Sequence, residues 1–324
     1  MGDEQQARPP LRLGTRASPL ALAQSALVRD ALAAAYPDLP APEIVPMATT
    51  GDAVLDRPLR EVGGKGLFTK ELDAALVEGR IDIAVHSMKD VETQLPQGVA
   101  VDCLLPREDP RDALLVAPGL DANAGIKGLP SGARLGTSSL RRAAQALAAR
   151  PDLQIVSLRG NVDTRIAKLA AGEAEAILLA VAGLSRLGRL GRDSEIQAIL
   201  PVADMLPAAG QGAIGIARRA QDRRVADLLV PLNDTSTAAC VGAERAMLAA
   251  LDGSCHTPIG ALARIAGAQL TLDGLLATPD GVSVYRTRAA GATGSPESVG
   301  RNAGETLRKA AGDDFFAALG HAGP

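Results

Sequence analysis

Two hydrophobic periods alternate along the chain. Short apolar runs rich in β-branched residues occur at 11–16, 43–49, 81–86, 113–117, 134–136, 153–158 and 176–181. Between them lie stretches with apolar residues every three to four positions, at 20–36, 69–79, 140–149 and from 162 onward. Strands alternating with helices predict α/β units with a parallel-sheet pattern. Ser18 followed by Pro19 gives an N-cap with proline at the first helical position, and Pro37 stops the same helix. The run Ile81 to Val85 is apolar and ends abruptly in His86, Ser87, Lys89 and Asp90. Such a run reads as a strand buried on both faces, and in open α/β sheets ligands bind beyond the carboxyl ends of strands. For Lys89 and Asp90 taken alone, a surface salt bridge is the plainer reading.

Punctuation divides the chain. Residues 102–112 carry two prolines and dense charge and read as a linker; 118–132 read as loop. Residues 196–207 hold two prolines and lead to Gly210-Gln211-Gly212 and a strand at 213–217, read as a return into the first sheet. After a break near Pro231 come an Ala-rich helix at 234–251, strands at 261–266, 269–277 and 282–289, and a helix at 296–311. The expected division is 1–104 with 206–230 as a first α/β domain, 105–205 as a second, and 231–324 as a small α+β domain.

Composition narrows the classes. The chain has 324 residues, 47% apolar, with 2% aromatic and no Trp, so its cores are built from Ala, Leu, Val and Ile. A net charge of −3 gives no electrostatic case for nucleic acid or an anionic membrane. The polar, acidic start is not a secretory signal, and no run of ~18 apolar residues predicts a membrane span. Three widely spaced cysteines, Cys103, Cys240 and Cys255, argue against a disulfide framework or a zinc knuckle and fit a reducing cytoplasm. No coiled-coil seam is visible, so a monomer is expected.

Arginine outnumbers lysine 28 to 6, which a GC-rich genome alone would produce, so position decides which arginines matter. Arg16, Arg141 with Arg142, Arg159 and Arg186 each follow a strand end, and Arg165 sits in a first helical turn. From 134 to 192 there are ten Lys/Arg against four Asp/Glu. Arg141 and Arg142 follow Thr137, Ser138 and Ser139 at a helix start, where cations oppose the helix dipole unless an anion offsets them. The run Val62 to Phe68 has three glycines but not the spacing of a phosphate-binding P-loop. Cys255 lies in a Gly/Ser/Pro turn that can expose its sulfur; His256 beside it is a poor partner, because adjacent side chains seldom face each other.

With these segments in hand, the chain resembles the porphobilinogen deaminase (hydroxymethylbilane synthase) family over residues 11–320. The motifs are Thr15 to Ala21, Val62 to Phe68, Ala84 to Val91, Gly136 to Arg142, Leu158 to Val162, Gly210 to Gly212 and Gly253 to Gly260. The resemblance implies two α/β domains of the periplasmic-binding type around a cleft, and a third domain whose Cys255 holds a dipyrromethane cofactor through a thioether. It implies an enzyme that joins four porphobilinogen units head to tail on that primer, releasing ammonia at each step and finally hydroxymethylbilane. Asp90 is the implied catalytic residue. Lys89, Thr137, Ser138, Ser139, Arg141 and Arg142 are implied to bind the cofactor. Arg16, Ser18, Lys65, Phe68, Arg159, Arg165, Arg186, Gln211 and Gly212 are implied to bind substrate, and no metal is implied.

The residue types suit that chemistry. Each pyrrole carries two carboxylates, and a charge-assisted hydrogen bond to one contributes ~1.5–3 kcal/mol. Loss of ammonia leaves a cationic pyrrole, which a carboxylate at ~4 Å stabilises by ~4 kcal/mol at an effective dielectric near 20. Some positions depart from the family pattern: Glu61 stands where many relatives have lysine, Val156 and Cys240 where some have a basic residue, and His256-Thr257 follows the cysteine where Gln-Val is commoner. The rival readings are a two-lobed ligand-binding module, which has no use for an exposed Cys255, and a thiol-dependent hydrolase. A retained pyrrole adduct that colours with Ehrlich's reagent separates the first reading from both.

Overall fold

The computed structural model describes residues 9–53, 66–191, 196–253 and 257–321. The first lobe contains β1 (Arg12–Arg16), α1 (Pro19–Ala35), β2 (Glu43–Met47), α2 (Thr50–Ala53), α3 (Lys70–Val77), β3 (Ile83–Ser87) and β4 (Val99–Leu104). The second contains β5 (Asp112–Val116), β6 (Arg134–Gly136), α4 (Leu140–Ala149), β7 (Gln154–Val156), α5 (Val162–Ala170), β8 (Ala176–Ala180), α6 (Val181–Arg186) and β9 (Ile196–Ile199). The chain then returns through β10 (Ile214–Arg219) and α7 (Arg223–Leu229). The C-terminal unit is α8 (Thr235–Ala250), β11 (Ile259–Ala266), β12 (Gln269–Ala277), β13 (Val284–Ala292), α9 (Pro296–Ala311) and α10 (Asp313–His321).

Both lobes use one strand order. The first sheet runs β2-β1-β3-β10-β4 and the second β7-β6-β8-β5-β9. In each, the first three strands are parallel, and the strand arriving from the other lobe pairs antiparallel on both sides. The two lobes are therefore topological copies joined by two crossings, the two-lobed α/β architecture expected from the sequence. The C-terminal sheet, β11-β12-β13, is an antiparallel meander covered by α8 and α9.

Local chemistry explains the helix starts. Ser18 caps α1 by accepting from the Ala21 amide, with Pro19 in the first turn; Asn161 and Asp234 cap α5 and α8 in the same way. Along β3 the side chains alternate: Ile83 and Val85 join the core that includes Val28 and Leu32 of α1, while Ala84 packs with Leu72 and Leu76 of α3. Both faces are covered, as its continuous apolar run implied.

The structure corrects several readings. The sheets are mixed, because the crossing strands run antiparallel. Part of the supposed linker is structured: β4 ends at Leu104, and Asp112 opens β5. The proline-rich stretch from 196 begins with a strand, and α7 and α10 had no counterpart in the sequence reading. Two short 3-10 turns, Ala122–Ala124 and Ile126–Gly128, lie within the loop expected at 118–132.

Candidate active site

Strand ends from both lobes supply the polar residues of the cleft. β3 runs into a 3-10 turn, Met88–Asp90, which buries Met88 and leaves Lys89 and Asp90 half-buried. The Met88 amide donates to the Ala213 carbonyl at 3.0 Å, anchoring this turn to the return crossing. Arg16 ends β1, and its guanidinium lies 4.2 Å from the centre of the Phe68 ring. Across the cleft, β6 leads to Thr137, Ser138 and Ser139. Thr137 Oγ1 accepts from the Ser139 amide at 3.1 Å, Ser138 donates to the Leu158 carbonyl at 2.9 Å, and Ser139 caps α4 through the Arg142 amide. Leu20 of α1 is close enough that a Cβ on Gly183 of α6 would stand 3.6 Å from it, so the lobes meet at this edge.

The anion that offsets Arg141 and Arg142 is already part of the protein. Asp112, fully buried at the start of β5, lies 2.9 Å from Arg141 Nη2 and 2.7 Å from Arg142 Nη2. Burial alone would raise its carboxyl; Arg141, Arg142 and the Gln211 amide overcome that and hold it well below the usual carboxylate range. Arg141 donates also to the Leu206 carbonyl at 2.6 Å and Arg142 to the Leu178 carbonyl at 2.9 Å. The sequence reading missed Asp112, because it closes a run of charges that looked like solvated linker.

The pairing is incomplete, and this bears on ligand binding. Arg141 Nε is buried with no acceptor. Lys89 is pushed down to about 8 by burial, with Asp90 opposing and Arg142, Asp112 and Arg141 also acting on it. Arg165 is pushed down to about 10 by burial and by Arg142 and Arg159, with Asp90 opposing. Each of these groups lies within electrostatic reach of the next, so Lys89, Asp90, Arg141, Arg142, Arg159 and Arg165 share one site. Lys89, Arg141, Arg142 and Arg165 outnumber Asp90 and Asp112 there. A desolvated excess of guanidinium groups with an orphan donor suits carboxylates of a ligand, so the donor set fits a dipyrromethane. Arg16 joins the site's edge: burial first and Arg16 second push His86 of β3 down to about 4.

Three residues expected to touch substrate stand at the crossings. Gln211 is 1% exposed; its amide donates to the Pro110 carbonyl at 2.7 Å and to Asp112 at 2.8 Å. The Gly212 carbonyl accepts from Arg186 at 2.7 Å and from the Glu108 amide at 3.2 Å. Gly212 has φ of +88°, and a Cβ there would approach the Glu108 carbonyl to 2.4 Å, so only glycine lets the two crossings touch. Glu244 of α8, fully buried, was visible only as an acid inside an Ala-rich helix. It pairs with Arg107 at 2.6 Å and accepts from the Gly210 and Ala263 amides, joining both crossings to the C-terminal unit. Cys255 and Lys65 lie outside the described residues, as does Glu61. Val156 ends β7, and Cys240 is buried in α8, its thiol pushed up to about 11 mainly by burial.

Fold and site together define a two-lobed α/β protein with a cationic cleft for a polycarboxylate, and a third unit packed on its crossings. A family model described as porphobilinogen deaminase, dipyromethane cofactor binding domain, matches residues 11–227, and one for the porphobilinogen deaminase C-terminal domain matches 238–309. A porphobilinogen deaminase of Paracoccus denitrificans is 51% identical over 95% of this chain and 96% of its own length. A chloroplastic one of Oryza sativa is 49% identical over 95% of this chain and 86% of its own. The periplasmic VFT2 domain of Bordetella pertussis BvgS aligns at a TM-score of 0.42 and 15% identity, over 68% of this chain and 85% of that one; the fold argument rests on strand order instead. The chain belongs to the porphobilinogen deaminase family.

Proposed function

We propose that the cleft carries out the family's reaction with the residues named above in defined roles. The chain is a transferase of tetrapyrrole biosynthesis: it deaminates porphobilinogen and joins four units head to tail on a dipyrromethane primer, releasing hydroxymethylbilane and ammonia. The observation that carries the assignment of roles is the convergence of Asp90 with Lys89, Arg142 and Arg165 at the facing strand ends of two lobes.

When bound, the dipyrromethane supplies the pyrrole to which new units are added. Cys255 attaches it through a thioether. Lys89, Arg141, Arg142 and the hydroxyls of Thr137, Ser138 and Ser139 hold its carboxylates. Arg16, Ser18, Arg159 and Arg165 take the acetate and propionate of incoming porphobilinogen, with Lys65 and Phe68 covering the cleft. Gln211, Gly212 and Arg186 act at the crossings, where they set the position of the second lobe. Asp90 faces the pyrrole nitrogen, where positive charge develops as ammonia leaves. A fixed carboxylate at ~4 Å there contributes ~4 kcal/mol at an effective dielectric near 20. The proposed division is 1–104 with 206–230, 105–205 and 231–324, supported by the two crossings. Among the described residues no helix is long and apolar enough to cross a membrane. We place the enzyme in the cytoplasm, acting on a small molecule with no nucleic-acid or membrane partner, on its charge and cysteine usage, and as a monomer on its lack of a coiled-coil repeat.

Asp90→Asn tests the central role. The variant is expected to fold and to retain its pyrrole adduct, while steady-state turnover falls at least ~100-fold, the scale of losing ~3 kcal/mol of transition-state stabilisation. Turnover near that of the parent removes Asp90 from the chemistry.

A further inference from the structure

We propose that the cavity between α3 and the segment following Asp90 is a second ligand site, outside the cleft, for an apolar cation: a small ring-bearing molecule with one protonated amine. The cavity has a volume of about 440 Å³, within the range of small-molecule pockets. One wall is a single face of α3 and its cap, where Thr69, Asp73 and Val77 follow at spacings of four. The opposite wall is the chain from Val91 to Pro96, and His86 of β3 and Val101 of β4 close the floor.

Two side chains in this lining are largely buried and have few polar partners among the described residues. Asp73 is 8% exposed; its carboxylate meets the Thr69 hydroxyl, and among the described residues no cation is paired with it. Burial holds its carboxyl above the ordinary range, with Thr69 opposing. Buried acids are ordinarily neutralised by a cation, because an uncompensated charge in an apolar setting is costly. His86 is 6% exposed, and no described residue hydrogen-bonds its ring. Burial and Arg16 keep it neutral, so it presents one accepting nitrogen. At the rim stand Lys70, Glu78 and Glu92; Glu78 is paired with Arg80 at 2.7 Å, and Glu92 lies within electrostatic reach of Arg245. The Glu92 carboxylate also accepts from the Gly66 amide at 3.2 Å.

The lining thus offers an apolar body site, an acid with no ion pair among the described residues and a neutral acceptor. A protonated amine on an apolar ring satisfies all three. A pyrrole dicarboxylate does not, so the cleft's own ligand is disfavoured here. The site is distinct from the cleft but adjoins it, since Gly66 and Thr69 flank Phe68, whose ring stacks on Arg16. Nothing in this inference depends on the cofactor assignment.

The test is isothermal titration of the full-length, cofactor-loaded enzyme with 2-naphthylmethylammonium, and with 2-naphthylacetate as the anion of the same body. The ammonium probe is expected to bind saturably at one site, with the acetate weaker by roughly tenfold or more, the scale of one charge-assisted contact. Asp73→Asn is expected to weaken the ammonium probe by a similar factor. Ala74→Trp, placed on the exposed face of α3 beside the cavity, is expected to block it sterically. It also keeps the test valid if Asp73→Asn does not fold. Turnover of both variants without probe is expected to match the parent. Absent saturation, equal affinity for the two probes, or binding unchanged by Ala74→Trp overturns the proposal.

Discussion

Replacing Asp112 by Asn removes one buried negative charge that faces two guanidinium groups at 2.7 and 2.9 Å. Each pair contributes ~4 kcal/mol of attraction at ~4 Å between charge centres and an effective dielectric near 20. Guanidinium groups cannot neutralise themselves by losing a proton. Truncating one partner of a buried pair costs ~3–5 kcal/mol because the other is left uncompensated. That full loss is expected where no ligand carboxylate is available, in a Cys255→Ser background. In the cofactor-loaded chain, a carboxylate from the dipyrromethane returns ~1.5–3 kcal/mol by reaching the same arginines, Arg141 Nε included. Asp112→Asn is therefore expected to cost only ~1–3 kcal/mol there. The assay is urea unfolding, followed by circular dichroism, of the parent, both single variants and the double. The interaction between the two substitutions gives the coupling directly. Equal losses with and without the cofactor would refute the idea that Asp112 and the dipyrromethane share Arg141 and Arg142.

Two predictions concern pH. His86 is held at about 4 in the folded chain against ~6.5 unfolded, so the unfolded chain takes up its proton first as pH falls. Its contribution to stability is complete above about pH 6.5 and lost on descending to about 4, a change of order 3 kcal/mol; His86→Asn is expected to flatten that part of the stability profile measured by denaturant midpoint. Lys89 is held at about 8 against ~10.4 unfolded, so the stability contribution of this group rises between those values as the buried charge is lost. A ligand carboxylate raises the folded value again. Binding of a free dipyrromethane bearing the cofactor's carboxylates to Cys255→Ser at about pH 8.5 should therefore take up protons, seen by titration in buffers of different ionisation enthalpy and absent when Lys89→Met is added. Proton release, or uptake that persists in Lys89→Met, would contradict the placement of Lys89.

Much of the scaffold was legible because its signals are local. The apolar run before His86 gave β3, Ser18-Pro19 gave the start of α1, and Thr137 to Ser139 marked the start of α4. The run of arginines after strand ends pointed to one cleft because strand ends in such sheets converge. What stayed hidden depends on packing between distant segments. β4 was obscured by the charged, proline-bearing chain that follows it, and the direction of β10 is a property of the crossing rather than of its residues. Asp112 and Glu244 read as ordinary charges, one in a linker and one in a helix. Only the tertiary structure shows one of them between Arg141 and Arg142, and the other holding Arg107, Gly210 and Ala263 together. Gln211 and Gly212 belonged to a recognised motif, yet their contacts are with the crossings themselves.

The most direct measurement is the intact mass of the purified chain beside that of Cys255→Ser, both produced in cells making porphobilinogen. The parent is expected to be heavier than its sequence by two covalently held pyrrole units, and Cys255→Ser to match its sequence mass. An unmodified parent, or the same adduct on Cys255→Ser, would contradict a tethered polycarboxylate lying between Asp90 and the arginines.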